Sequence, residues 1–373
     1  VSTPIRREGR RALGDRIADE PGAPSCFAHF HEFTRRTMKV TVFGPARRVG
    51  VVHEGSVVDI NGAYAKYLAE TSHAARPLAE AAAAVPAQLN AFIEEGARAL
   101  DGARAALEYL VDQAQDVRGV TGEQLSFGLD EVRLHAPIEG QSRILCALAN
   151  FADHMQSAAE NSRGGDAKTT INRLVEGGPK FFVKDHRAVS ASGDPVRYPA
   201  RTERLDYEAE VAVVIGKSGR DIKGDDFTSH VWGYTLFNDW SVRDNVSFGP
   251  DFMYAKNFDT SATIGPWIIV NEGIDPQDIP IECRVNGELR QSGNTSSMIH
   301  SFAALGEHLS RDTTLWPGDL IASGTPKGTA VDSSRQESDG SVPDTLFVKP
   351  GDVVEVSSAL IGTIRNEVVK PTD

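Results

Sequence analysis

The chain has 373 residues, enough for about two domains and a sizeable core, and its 40% hydrophobic and 24% charged content is that of an ordinary folded globular protein. Its 52 acidic residues outweigh 39 basic ones, giving a net charge of −13, and no lysine- or arginine-rich run occurs beyond the first few residues, which argues against a nucleic-acid or anionic-membrane partner. No apolar stretch approaches the roughly 20 residues needed to cross a bilayer, and three scattered cysteines (Cys26, Cys146, Cys283) with no CxxC pair read as reduced thiols of a cytoplasmic protein.

Residues 1–37 are rich in Arg, Pro and Gly without sustained periodicity, so they read as an N-terminal extension that docks loosely or stays disordered. Glu8, Asp15, Asp19 and Glu20 set the segment apart from a transit peptide, which is nearly free of acids. Within it, Cys26, His29 and His31 offer three ligand types but no fourth and no framework, a coincidence rather than a metal site. Residues 38–139 read as a small α/β domain. A meander over 40–43, 48–53 and 56–60 turns at Glu54-Gly55. Helical spacing follows over 63–70, 88–96 and 100–113, with Leu107, Leu110 and Val111 on one face and Pro86 opening or breaking a helix.

Residues 140–373 read as a larger, strand-dominated unit, entered through Pro137-Ile138-Glu139-Gly140. Strand-like runs fall at 143–148, 180–183, 207–215, 230–238, 264–270, 281–285, 320–323 and 353–356, with helical stretches at 157–161 and 298–309. Asn286-Gly287 is a strong hairpin signal joining 283–285 to 288–291. The proportion predicts an α+β, mostly β fold, a mixed β-roll or barrel-like sheet rather than a doubly wound one. Neither a GxGxxG after a strand nor a GxxxxGK[ST] is present, so nucleotide-binding motifs are absent.

The strand over 207–215 places Glu208 and Glu210 ahead of the apolar run Val211-Ala212-Val213-Val214-Ile215. Alternation puts both carboxylates on one face, where they repel and where burial makes matters worse. A bound cation relieves both. Asp239, at the end of the 230–238 strand, supplies a third carboxylate. Three carboxylates with no His or Cys nearby make a hard, oxygen-ligand site suited to Mg²⁺ or Mn²⁺, with Ca²⁺ a further option, and leave positions open for water and a chelating substrate. The plainer reading is a half-exposed edge strand whose glutamates pair with Arg201 or Arg204.

A series of segments in order carries a family resemblance. Asn150-Phe151-Ala152-Asp153-His154 and Leu205-Asp206-Tyr207-Glu208-Ala209-Glu210 come first, then Asn238-Asp239-Trp240-Ser241-Val242-Arg243-Asp244 and Tyr254-Ala255-Lys256-Asn257-Phe258-Asp259. Gly265-Pro266-Trp267, Val285-Asn286-Gly287-Glu288, Gln291-Ser292-Gly293-Asn294-Thr295, Pro317-Gly318-Asp319-Leu320-Ile321 and Ser323-Gly324-Thr325-Pro326-Lys327-Gly328 continue it. In order and spacing they resemble the fumarylacetoacetate hydrolase family. The resemblance implies a barrel-like β-rich catalytic fold, usually a homodimer, that binds a divalent cation and acts on β-diketo or α-keto acids. It implies metal ligation by Glu208, Glu210 and Asp239, the set assembled above. It also implies an active-site Lys256 that stabilises an enolate or grips a substrate carboxylate, a carboxylate-binding Thr325, and a water-activating His154. Arg243 reads as a partner of Asp244 or as a binder of the substrate's far carboxylate, and we expect the second.

Two departures from the family pattern bear on the reaction. Ser157 stands where many C–C-cleaving members carry a glutamate that orients the histidine, and Glu337, in the polar loop 331–340, is the expected substitute. Arg243-Asp244-Asn245-Val246 replaces a common Arg-Asp-x-Gln and loses a polar contact. Residues 155–178 read as a mobile lid. The first expectation is a metal-dependent hydrolase that cleaves a C–C bond in an acylpyruvate-like or other 1,3-diketo acid. The alternative is decarboxylation, tautomerisation, isomerisation or dehydration of a keto acid through the same enolate, favoured if His154 lacks an orienting partner. A metal-holding paralogue that binds a keto acid without turnover is the third, against which His154, Lys256 and Thr325 argue.

Overall fold

The computed structural model describes residues 37–111, 113, 118–161, 167–244, 251–334 and 344–370; Cys26, His29, His31 and Glu337 lie outside the described residues. The expected meander is present as β1 (Lys39–Phe43), β2 (Arg48–His53) and β3 (Ser56–Asp59), with Glu54 and Gly55 both at positive φ, as a type I′ turn requires. Asp59 then accepts a bond from Gly62 N at 3.1 Å and caps α1 (Ile60–Thr71). The helix-period reading did not anticipate α2 (Pro77–Ala84), which starts on a proline whose missing N–H would be unpaired there anyway. Pro86 sits in the break before α3 (Leu89–Glu95). In α4 (Ala97–Val111) the buried face is Ala99, Gly102, Ala103, Ala106 and Leu110; Val111, expected on it, is 58% exposed.

The chain continues through β4 (Ser126–Gly128), β5 (Leu134–His135), β6 (Ile144–Ala147), α5 (Ala152–Asn161), α6 (Ala167–Gly177), β7 (Phe181–Lys184), β8 (Val189–Ser190) and β9 (Val196–Arg197). Next come β10 (Leu205–Asp206), β11 (Ala209–Ile215), α7 (Gly224–Phe227), β12 (Val231–Asp239), β13 (Ser241–Val242), α8 (Phe252–Lys256) and β14 (Ala262–Val270). The remainder is β15 (Pro280–Val285), β16 (Glu288–Asn294), α9 (Phe302–Ser310), β17 (Leu320–Ala322), α10 (Ala330–Ser333), β18 (Val353–Ser358) and β19 (Gly362–Val369). The expected lid segment, 155–178, thus contains most of α5, where 157–161 was read as helical, and all of α6, which was not anticipated.

The largest sheet has 12 strands in the order β4-β3-β2-β1-β14-β12-β11-β17-β6-β7, with β5 beside β1 and β8 beside β14. Its ends do not pair with one another, so the sheet-dominated α+β fold is open rather than a closed barrel. Lys39 of β1 lies opposite Ile269 of β14, and the sheet therefore runs unbroken across the boundary expected at residue 139. One hydrophobic cluster likewise joins Val40, Val51 and Phe92 to Val214, Phe237, Ile268 and Leu320. A five-stranded sheet, β16-β15-β18-β19-β9, contains the Asn286-Gly287 hairpin, with both turn residues at positive φ.

The site depends on β11 and β12. Between β12 and β17, β11 is buried along its whole length, a setting that favours an unbroken apolar run. Glu210 interrupts it. Antiparallel pairing sets Ala209 opposite Asn238, so the start of β11 and the end of β12 bring Glu208, Glu210 and Asp239 together. Gly233 lets β12 lie close to β14: a Cβ there would sit 2.3 Å from Ile269 O. Gly233→Ala is expected to destabilise the protein by about 1–3 kcal/mol through overpacking, seen as a lower urea midpoint at unchanged slope. An unshifted midpoint would mean that the two strands separate at no cost.

Candidate active site

Glu208, Glu210 and Asp239 are buried and offer one oxygen each within 4.8 Å of one another. Glu208 directly precedes β11 and is fixed by its own N–H, which donates to Asn238 Oδ1 at 3.0 Å. Glu210 Oε2 accepts from Gly324 N at 3.0 Å, which ties the triad to the turn after β17. The plainer reading of an exposed edge strand fails on both counts: β11 is central, and Arg201 donates to the carbonyls of Tyr254 and Asn257 instead.

Lys256, at the end of α8, enters from the other side. Its Nζ lies 2.5 Å from Glu208 Oε2, 2.7 Å from Asp239 Oδ2 and 2.7 Å from Ser241 Oγ, which occupies all three of its N–H donors. The Phe182 ring centroid is 5.0 Å from the same nitrogen. A second lysine, Lys184 of β7, had no sequence signal beyond a charge in the apolar run Phe181-Phe182-Val183. Its Nζ donates to Trp240 O at 3.1 Å and forms an ion pair with Asp239 Oδ1 at 2.6 Å.

Burial pushes the Glu210 carboxyl up, and Asp239 and Glu208 push it further, well above the ordinary carboxylate range. Glu208 moves the other way: burial opposes its charge, but Lys256 and Arg243 outweigh burial and hold it well below that range. Lys256 is likewise opposed by burial and raised on balance by Asp239 and Glu208, whereas burial dominates at Lys184 and lowers it. Four carboxyls (Asp206, Glu208, Glu210, Asp239) thus face three cations (Lys184, Lys256, Arg243), and burial pushes Asp206 up as well as Glu210. A hard divalent cation suits this set, because the three clustered ligands are all buried carboxylates and binding it would require Glu210 to be ionised.

His154 lies in the first turn of α5. Asn150 fixes the approach, donating to His300 O at 3.0 Å and Ser323 O at 2.8 Å and accepting from His300 N at 2.8 Å. The imidazole is among the groups that lower Glu208. Its Nδ1 is 2.6 Å from Oδ2 of the fully buried Asp332, on α10. Asp332 is held in turn by Gly328 N, 3.2 Å from each carboxylate oxygen, and its carbonyl accepts from Ser157 Oγ at 3.1 Å. Asp332 therefore orients His154 in place of a glutamate at the Ser157 position; Glu337, the expected substitute, lies outside the described residues. The sequence did carry a signal: Thr329-Ala330-Val331-Asp332 is a capping-box pattern, and Thr329 Oγ1 accepts from Asp332 N at 3.3 Å.

Two expected substrate contacts are engaged with the protein. Arg243 donates from Nε to Asp206 at 3.0 Å and from a terminal nitrogen to Glu208; Asp244 instead accepts from Thr202 and from Glu203 N. Thr325 donates its hydroxyl to Ala209 O at 3.0 Å and accepts from Gln291 at 2.8 Å.

A buried carboxylate triad, a lysine across it and a carboxylate-held histidine define an enzyme site. The family model for the fumarylacetoacetate (FAA) hydrolase C-terminal domain matches residues 143–369, and the chain belongs to this family. It is 37% identical over 287 residues to oxaloacetate tautomerase YisK of Bacillus subtilis (strain 168), a match covering 76% of this chain and 87% of that protein. It is 33% identical over 288 residues to the mitochondrial oxaloacetate tautomerase fahd2 of Xenopus laevis, covering 76% and 79%. Among solved structures it is similar to maleylpyruvate hydrolase from Sphingobium sp. SYK-6 in complex with manganese(II) ion and pyruvate (TM-score 0.61, 25% identity, 90% of this chain and 100% of that chain). It is also similar to fumarylacetoacetate hydrolase from psychrophilic Exiguobacterium antarcticum (TM-score 0.62, 28% identity, the same coverage). Among the described residues, no helix is long and apolar enough to cross a membrane.

The opposed shifts of Glu210 and Glu208 set the pH dependence. Stability from a raised carboxyl is present in acid and lost as pH rises through its folded value, above the ordinary carboxylate range; that from Glu208 is lost only as pH falls below that range. Metal-free Glu210→Gln is therefore expected to melt at or above wild type near neutral pH. In wild type, stabilisation by Mg²⁺ or Mn²⁺ should grow from weakly acidic to neutral pH, and in Glu210→Gln it should be lost. Thermal melts with and without metal check this, and metal stabilisation that does not change with pH would contradict it.

Proposed function

We propose that this protein is a divalent-metal-dependent tautomerase that interconverts the keto and enol forms of oxaloacetate or a closely similar 2-oxo dicarboxylate. The observation that carries the reading is its 37% identity to an oxaloacetate tautomerase across 76% of the chain, supported by the proton-transfer geometry at His154. Tautomerisation requires a base that takes a proton from the carbon beside the carbonyl and a cationic environment for charge developing on oxygen. His154, donating from Nδ1 to Asp332 Oδ2, presents Nε2 as the base. Lys256, with its three donors fixed on Glu208, Asp239 and Ser241, acts on the substrate through its field rather than by a direct bond. A divalent cation held by Glu208, Glu210 and Asp239 would polarise the 2-oxo group and draw in the substrate's negative charge. Burial of these groups strengthens each of those interactions.

Hydrolytic C–C cleavage, the first expectation from the sequence, is the second reading. The similarity to a maleylpyruvate hydrolase with manganese and pyruvate favours it, and so does the oriented His154, which can serve a water as well as a carbon acid. One comparison separates the two. Ultraviolet absorbance follows the enol of oxaloacetate, and product analysis of acetylpyruvate detects cleavage, each with metal-loaded protein and a Glu208→Ala control. Catalysed enol decay with acetylpyruvate left intact is the expected result; acetate and pyruvate release would move the assignment to a hydrolase. His154→Asn is expected to lower kcat roughly 100-fold to 10,000-fold while leaving stabilisation by Mg²⁺ unchanged, because His154 is not a ligand. A variant with full turnover would remove His154 from the mechanism.

A further inference from the structure

We infer that Asp206 is a positioning residue that holds the His154–Asp332 pair in place and ties it to the metal-binding end of the site. Asp206 is completely buried between the two halves of the machinery. On one side its Oδ2 accepts from Arg243 Nε at 3.0 Å, and the same guanidinium donates to Glu208. On the other, Oδ1 accepts from Ala330 N at 2.8 Å and Oδ2 from Val331 N at 3.1 Å, the first two residues of α10. Asp332 is the next residue, and its carboxylate holds His154. A continuous path of hydrogen bonds thus runs from Glu208 through Arg243 and Asp206 to the start of α10, and on through Asp332 to His154.

This grip decides where Asp332 sits because α10 is a single turn of four residues, too short to fix its own direction. Besides the Thr329 cap, its N-terminal N–H groups are pinned by a carboxylate that cannot move without breaking the pair with Arg243. Tyr207 N, 2.9 Å from Asp206 Oδ1, anchors that carboxylate to the chain leading into β11. Removing the Asp206 charge frees α10 to shift, so Asp332 Oδ2 and His154 Nδ1 part while Glu208, Glu210 and Asp239 stay in place. Asp206 touches no part of the triad directly; it acts through Asp332 on one side and Arg243 on the other.

The inference rests on the role of His154 in the proposed reaction, so the test reads His154 with and without turnover. In histidine-¹⁵N-labelled full-length protein, the His154 signal is assigned by its loss in His154→Asn. Asp206→Asn and Asp332→Asn are expected to change that imidazole signature in the same direction, with Mg²⁺ affinity by calorimetry preserved in both. In turnover, Asp206→Asn should lower kcat roughly 10-fold to 100-fold with KM little changed, and the double variant should lose no more than the worse single one, because both act through one contact. Asp206→Glu, which keeps the charge opposite Arg243 but displaces the carboxylate from α10, gives the same readouts should Asp206→Asn fail to fold. A wild-type His154 signature in a folded Asp206 variant, or additive losses with Asp332→Asn, would overturn the inference. If wild type fails to tautomerise but the His154 signatures change as described, the positioning role stands and the proposed reaction falls.

Discussion

The structure turns on the burial of Glu208 and Glu210 at the start of a strand that has no solvent face. Two carboxylates in that position are unstable unless opposite charge surrounds them. The fold meets this requirement from three directions: Lys256 from α8 and Arg243 just after β13 pair with Glu208, and Gly324 N from the turn after β17 donates to Glu210, while Lys184 from β7 pairs with Asp239 beside them. Removing either cation that faces Glu208 leaves the other alone to balance a buried carboxylate. The positions of α8, β7 and the 323–328 turn are thus fixed by electrostatics as well as by apolar packing. The same cluster leaves the site one carboxyl in excess, which a proton or a hard cation corrects.

Proton chemistry and cation chemistry meet at this cluster but reside on different elements. The triad belongs to β11 and β12, long strands in the middle of a large sheet, where register fixes the oxygens. His154 belongs to α5 and the carboxylate that holds it to α10. Sheet centres are rigid, and short helices are placed by the bonds they make at their ends. Asp206 and Arg243 bridge the two, letting the rigid part specify the geometry of the part that lies over it.

Much of the site was legible in the sequence for a local reason. Period-two alternation put Glu208 and Glu210 together, and the strand ending at Asp239 required only one antiparallel pairing to join them. Lys256 and His154 followed from motif order. Turn chemistry at Glu54-Gly55 and Asn286-Gly287 was equally readable, because positive φ restricts which residues fit. Where local patterning was weak, the reading missed: α2 is an alanine-rich helix without amphipathic contrast, and β19 alternates among polar residues near the end of the chain.

The sequence by itself placed Glu208 and Glu210 on one face of a strand and Asp239 at the end of another, since alternation is a property of neighbouring residues; that the strand is central and all three carboxylates are buried was decided by the tertiary structure. It did not determine which group holds His154. Ser157 stood at the local position, and the partner proved to be Asp332, distant in the chain and brought in by α10. Nor did it determine that Arg243 would donate to Asp206 and Glu208, and Thr325 to Ala209. Those choices depend on which backbone ends meet in space, and sheet order, with β11 between β12 and β17 and β17 beside β6, made them. A side chain's type fixes what it can bond to, but only the tertiary structure decides which partner lies within reach.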